Sequence, residues 1–248
     1  MIPKVIHYCW FGRNEKSGLI KECIESWKKY LPDYEIIEWN EDNFDVNSLQ
    51  YTKEAYEAKK WAFVSDYVRL YALYTQGGLY FDTDVEVLKN MDEFLEDEAF
   101  TGWEAKDSPV TAVMGAQAGN EEFGELLRYY DGRSFVLEDG SYDTTTNTII
   151  ITNILKEQGI ILNGKTQTIG GMTVYPQIYF CPNNFSRLWN KPSKKSYAIH
   201  HFDQSWKAEK KGEVSFKQRL RRYAVGIYRN TFGSVSKKDL KKSFSKKK

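Results

Sequence analysis

Residues 61 to 88, WAFVSDYVRLYALYTQGGLYFDTDVEVL, limit the possible folds of this chain more than any other stretch. Up to Gln76 the pattern is helical, with Ala62, Ser65, Asp66, Arg69, Leu70 and Leu73 falling at helical spacings. Gly77 and Gly78 stop that helix. The run LYFDTDVEVL then reads as a buried strand ending in two acids, Asp82 and Asp84. Side chains at i and i+2 of a strand share one face. Two carboxylates there repel each other, and burying them unpaired is costly. A bound cation relieves both costs; without one, the pair is an edge-strand feature facing solvent. Asp66 and Arg69 are spaced i, i+3, so they can pair on the helix surface. Because the rest of that helix is apolar and aromatic, such a pair is expected to face a cleft.

Around this unit, strands and helices alternate. KVIHYCW (4–10) and YEIIEWN (34–40) read as strands, and Ser17 caps a helix running to about Tyr30 with Ile20, Ile24 and Trp27 on one face. A single helix is expected from about Thr52 to Gln76. FTGWEA (100–105), VTAVMGAQ (110–117), TVYPQIYF (173–180) and KSYAIHHF (195–202) follow as strands, with helices over 121–130 and 148–159. Such alternation predicts an α/β fold with a largely parallel central sheet. Ligands of these sheets bind beyond the carboxyl ends of the strands. Asp82 and Asp84 lie near such an end.

The chain of 248 residues is long enough for one large α/β domain or two small ones. Three cysteines, Cys9, Cys23 and Cys181, show no paired spacing and predict a reduced, cytoplasmic protein without disulfides. The opening MIPKVIHYCWFG has no long apolar run, so no signal peptide is expected. The net charge of +1 hides an asymmetry. Residues 207–248 hold 15 Lys or Arg against 3 Asp or Glu, giving +12, whereas residues 1–206 hold 20 against 31, giving −11.

SDYVRLYALYTQGGLYFDTDVEVL resembles the central motif of glycosyltransferases with a DxD sugar-binding region, and is most similar to glycosyltransferase family 32. That family includes bacterial capsular polysaccharide enzymes and yeast mannosyltransferases. IPKVIHYCWFG near the start and AIHHFDQSW near residue 200 resemble the family in order and spacing. A TGP-type signature of some eukaryotic members is absent, with TNTIIITNIL in that region, so the resemblance points to the bacterial branch. The resemblance implies a GT-A-like, Rossmann-like fold and a retaining, metal-dependent transfer of a hexose or N-acetylhexosamine from a UDP-sugar. It implies that Trp10 stacks on the uracil, and that Ser65, Asp66 and Arg69 contact the donor sugar and ribose. Tyr80 lines the donor site, and Asp82 touches the ribose or sugar and binds metal through water. Asp84 coordinates Mn²⁺ or Mg²⁺ directly, with His200 as a further ligand and His201 as its alternative. Ser205 and Trp206 lie on a loop that closes over the diphosphate. Asp66, Arg69, Asp82 and Asp84 form the catalytic set. Gly102-Trp103-Glu104 matches a GWE-like element of related proteins, and Glu104 either sits near the acceptor or closes a turn.

The chemistry suits these residue types. A departing diphosphate gathers negative charge, which a divalent cation stabilises. The organisation expected is a catalytic domain over 1–206 followed by a basic amphipathic helix and lysine-rich tail over 207–248. Phe216, Leu220, Tyr223 and Ile227 form one face of that helix, which suits an anionic membrane surface. The expected location is therefore cytoplasmic and peripheral, at the inner face of the plasma membrane, with a lipid-linked glycan acceptor. No nucleic-acid motif accompanies the basic tail. Two other functions fit a strand-end DxD: a metal-dependent phosphotransferase or phosphatase, and a non-catalytic sugar-nucleotide-binding module.

Overall fold

The computed structural model describes residues 1–182 and 192–203. The expected basic helix, the lysine tail, Ser205 and Trp206 lie outside the described residues. The elements in chain order are β1 (Val5–Cys9), α1 (Gly18–Tyr30), β2 (Glu35–Trp39), α2 (Gln50–Glu57), α3 (Trp61–Gln76), β3 (Gly78–Phe81) and β4 (Val85–Val87). They continue with β5 (Ala99–Ala105), β6 (Ser108–Ala116), α4 (Glu121–Arg128), α5 (Asn147–Glu157), β7 (Gln167–Ile169), β8 (Met172–Tyr175), α6 (Gln177–Phe180) and β9 (Ala198–His200).

Seven strands form one sheet in the order β2-β1-β3-β6-β5-β8-β7, and β4 pairs with β9 in a separate ribbon. β1 is parallel to β2 and β3, and β5 is parallel to β8. β6 runs antiparallel to both β3 and β5, and β7 runs antiparallel to β8. Five of the seven strands therefore point the same way, giving the mostly parallel α/β sheet that the sequence predicts. The period of two decides which side each residue serves. On β3, Leu79 and Phe81 join a core with Trp27 of α1 and Phe180 of α6. Tyr80, between them, joins the opposite core with Val64, Val68 and Leu73 of α3. Each face of the sheet thus carries its own apolar layer.

Two features fix the central strands. His7 on β1 is fully buried; its Nε2 lies 2.7 Å from the Gly77 carbonyl and its Nδ1 accepts from Trp39 Nε1 at 3.0 Å. Burial lowers the His7 pKa, although the Gly77 carbonyl works against that shift, and the accepting Nδ1 marks a neutral ring. Gly77 has φ +68, and a Cβ there would lie 2.6 Å from the Ala118 nitrogen. Only glycine turns α3 into β3 at that position without a clash.

Three local expectations are corrected. The helix expected from 52 to 76 is two helices, broken at Lys59, whose φ is +57. The strand expected over 173–180 ends at Tyr175, because Pro176 caps α6 instead of continuing the ladder. The run after Phe81 is not one strand: Val85 N–H donates to the Asp82 carbonyl at 3.0 Å, closing a turn that separates β3 from β4. Cys9, Cys23 and Cys181 are free and buried. No described helix is long and apolar enough to cross a membrane.

Candidate functional site

The carboxyl ends of β1, β2, β3, β5 and β8 lie along one edge of the sheet, and the acidic turn follows directly from β3. Asp82 N–H still donates to the Ala112 carbonyl at 2.9 Å, holding the start of the turn on the sheet. β4 then pairs antiparallel with β9, with Val85 opposite His200. This ribbon carries a residue more than a hundred positions downstream to the turn.

The result is a cluster of Asp82, Asp84 and His200, with one ligand atom of each lying within 4.8 Å of the others. His200 Nε2 is 3.3 Å from Asp84 Oδ1. Asp203 N–H donates to the other oxygen, Asp84 Oδ2, at 2.6 Å. Burial pushes the Asp84 carboxyl up, but His200 and the Asp203 N–H outweigh it and hold the group below its usual value. For His200, burial lowers the pKa, whereas Asp84, the neighbouring Cys181 thiol and Asp82 together raise it. The Asp82 side chain is the most open of the three at 23% exposed, against 13% for each of the others. Two hard carboxylates and an imidazole nitrogen, converging from separate segments with one side open, fit a divalent cation such as Mn²⁺ or Mg²⁺. Such an ion would supply positive charge for the oxygens of a phosphate ligand.

Beside this cluster, Arg69 bridges two acids. Its Nη2 is 3.0 Å from Asp66 Oδ1 and its Nη1 is 3.1 Å from Asp82 Oδ1. Its Nε donates to the Ser65 carbonyl at 3.3 Å, and its guanidinium lies 4.8 Å from the centre of the Tyr80 ring. Asp66 is 9% exposed and Arg69 is 6% exposed, so this is a buried network tied to the cleft through Asp82. Burial pushes the Asp66 carboxyl up to about 6, opposed by Arg69 and assisted by the charge on Asp82. Its other oxygen accepts from Asn147 N–H at 3.3 Å, and Asn147 Nδ2 donates to the Asp66 carbonyl at 2.8 Å. Tyr130 OH in turn donates to Asn147 Oδ1 at 2.8 Å, so α5 braces α3 from behind. Tyr80 OH donates to Asp82 Oδ1 at 3.1 Å. At 2% exposed, Tyr80 supports Asp82 from below rather than lining open space. The Ser65 hydroxyl donates back to the Trp61 carbonyl at 3.1 Å.

Trp10 follows β1 on the same edge. Its Nε1 donates to the Asn14 carbonyl at 2.7 Å, and Lys16 Nζ lies 5.4 Å over its ring. Trp10 lines a polar cleft of about 260 Å³ with Arg13, Lys16, Glu38 and Glu41. His201 is not part of the metal-type cluster: its Nε2 is 2.9 Å from Glu86 Oε2. Adjacent residues at the end of a strand point to opposite sides, so only one of the two histidines can reach Asp84.

The sequence allows Glu104 either a place near the acceptor or a role in closing a turn. It lies on β5, is 6% exposed, and interacts electrostatically with His200 and Asp82. Burial pushes its carboxyl up to about 7; the nearby His200 lowers it and Asp82 adds to the rise.

Residues 18–101 match the family described as glycosyltransferase sugar-binding region containing DXD motif. Asp66, Arg69 and the Asp82-Thr83-Asp84 turn all fall inside this DXD region, whereas Trp10, Glu104 and His200 join it from outside. A curated relative, inositol phosphoceramide mannosyltransferase 3 of Schizosaccharomyces pombe, is 29% identical over 141 residues. That match covers 51% of this chain and 36% of the relative, so the chain spans about a third of the relative's length. Among solved structures, a glycosyltransferase involved in glycosylation of the major capsid of PBCV-1 is 11% identical with a TM-score of 0.47, covering 90% of this chain and 99% of that one. The galactosyltransferase LgtC, in complex with donor and acceptor sugar analogs, is 12% identical with a TM-score of 0.43, covering 94% and 98%.

Proposed function

We propose that this protein is a metal-dependent glycosyltransferase of GT-A-like fold. It moves a hexose or N-acetylhexosamine from a UDP-sugar to a glycan acceptor, with retention of anomeric configuration. The observation that carries this reading is the convergence of Asp82, Asp84 and His200 beside Arg69, at the carboxyl edge of the sheet within and around the DXD region. Asp84 and His200 would hold Mn²⁺, with Asp82 completing the set directly or through water. When bound, the ion would supply positive charge for the departing diphosphate. Trp10 provides an aromatic platform for the uracil, with the polar cleft beside it available to the ribose. Arg69 fixes Asp82, so the metal-facing carboxylate does not have to reorganise when the donor arrives.

The acceptor in this reading is lipid-linked, as in capsular or other surface polysaccharide synthesis. The basic segment over 207–248 brings the enzyme to the inner face of the plasma membrane. Calorimetric titration with UDP, with Mn²⁺ and then with EDTA, tests the donor site. We expect UDP binding that depends on Mn²⁺ and weakens at least tenfold in Asp84→Ala, the scale for losing a charge-assisted ligand. UDP binding that is equal with and without the metal would overturn the reading.

A further inference from the structure

Glu104 is the buried acid for which the fold itself offers least. Its backbone is firmly held: the Glu104 carbonyl accepts from Gln177 Nε2 at 2.7 Å, and Gly102 pairs with Tyr175 of β8. The preceding side chain, Trp103, is fully buried and donates from Nε1 to the Lys165 carbonyl at 2.8 Å. The register of β5 against β6 slips between Trp103 and Ala105, which places Glu104 at a bulge. Bulges re-aim a side chain relative to the regular pleat. Among the described residues the Glu104 carboxyl makes no hydrogen bond or ion pair, and although the residue is 6% exposed its oxygens are not among the fully buried unpaired atoms, so they keep an opening to solvent. A carboxyl held at the edge of the core without a protein partner, yet open to solvent, is placed to take its hydrogen bond from a ligand. The charged groups that it senses are His200 and Asp82, both members of the metal-type cluster.

We propose that the Glu104 carboxylate is a substrate-binding group, accepting a hydrogen bond from a sugar hydroxyl held next to the Asp82-Asp84-His200 cluster. The inference rests on the glycosyl-transfer reading above and adds a residue to it. The hydroxyl belongs either to the transferred glycosyl group or to the acceptor, and the two sources separate kinetically. Arg69 anchors the cluster from α3, and Glu104 stands at the carboxyl end of β5, on the same sheet edge from which the Asp82 turn leaves β3, so a ligand bound at the cluster is bracketed from two elements. This also gives the unpartnered carboxyl a role when the ligand is present.

The test uses the full chain and the Glu104→Gln and Glu104→Ala variants. Donor hydrolysis is measured with the UDP- or GDP-hexose that the wild type cleaves fastest, and transfer with octyl glycosides of glucose, galactose and N-acetylglucosamine. We expect both variants to melt no lower than wild type, and to bind UDP with Mn²⁺ unchanged, because UDP carries neither the transferred glycosyl group nor the acceptor. We expect kcat/KM to fall roughly tenfold to a hundredfold, the scale for losing a hydrogen bond to a charged group. A fall already present in hydrolysis assigns the hydroxyl to the transferred sugar. A fall seen only with the glycosides assigns it to the acceptor. Unchanged hydrolysis and transfer in both variants, with the wild type active, would overturn the proposal while leaving the reaction standing. A wild type inactive on every nucleotide sugar would instead overturn the reaction, and the proposal with it.

Discussion

At the scale of single residues, Arg69 ties the site to the fold. It pairs with Asp66 and Asp82 while almost fully buried, and removing it strands the Asp66 carboxyl. We expect Arg69→Met to lower stability by about 3–5 kcal/mol, the usual cost of breaking a buried ion pair. The double variant Asp66→Asn/Arg69→Met should recover part of that loss in urea titrations; full additivity of the two changes would contradict the pairing. Glu104 carries a second, pH-dependent prediction. Its folded-state pKa of about 7 lies above the ordinary glutamate value of 4.5, so between those values the folded chain holds the proton that the unfolded chain has released. Raising pH through that window therefore costs stability. In EDTA, Glu104→Gln should gain melting temperature over wild type as pH rises from about 5 to about 8, and a constant difference would exclude the shift. The i, i+3 pairing of Asp66 with Arg69 was legible in the sequence because helix geometry is local. The Arg69–Asp82 contact was not, since it joins a helix to a turn through tertiary packing alone.

The element that delivers the acids is the α3–β3 unit, and its junction depends on Gly77. An alanine there combines a positive φ with a Cβ 2.6 Å from backbone. We expect Gly77→Ala to cost about 1–3 kcal/mol, read from denaturant midpoints, and an unchanged midpoint would contradict the steric account. The helix, the two glycines and the following strand were all legible from periodicity and from the glycines' conformational range. The geometry at the acids was legible for a different reason than the one that operates. Spacing i, i+2 on a strand predicts a shared face, yet Asp82 and Asp84 converge across a turn closed by Val85 N–H. The break at Lys59 had no signal, because neither glycine nor proline marks it. Pro176 did mark the end of β8, and the apolar run around it masked that signal. The choice between His200 and His201 was out of reach for the sequence, since it depends on the register that sets Val85 opposite His200.

For the whole molecule, the sheet is covered by two apolar layers, and the acidic turn lies at the edge between them. His7 ties β1 to β2 and to the α3–β3 junction while neutral, so it must charge only on unfolding. Its folded-state pKa lies below the usual value of 6.5, so the unfolded chain takes up the proton first as pH falls, and stability drops below that value. The charge division between residues 1–206 and 207–248 follows from counting alone, and in the proposed reading it draws the chain to an anionic membrane surface. We expect the full chain to sediment with phosphatidylserine vesicles and a chain ending at residue 206 to remain in solution. Sedimentation of the shortened chain would place the membrane contact elsewhere. The claim on which the rest depends is that Asp82, Asp84 and His200 hold a cation that activates a nucleotide sugar. The most direct measurement is UDP release from a panel of UDP- and GDP-sugars, with and without Mn²⁺, by wild type and Asp84→Ala. We expect Mn²⁺-dependent release from one UDP-sugar, lost in Asp84→Ala; release that ignores both the metal and the substitution would contradict the claim.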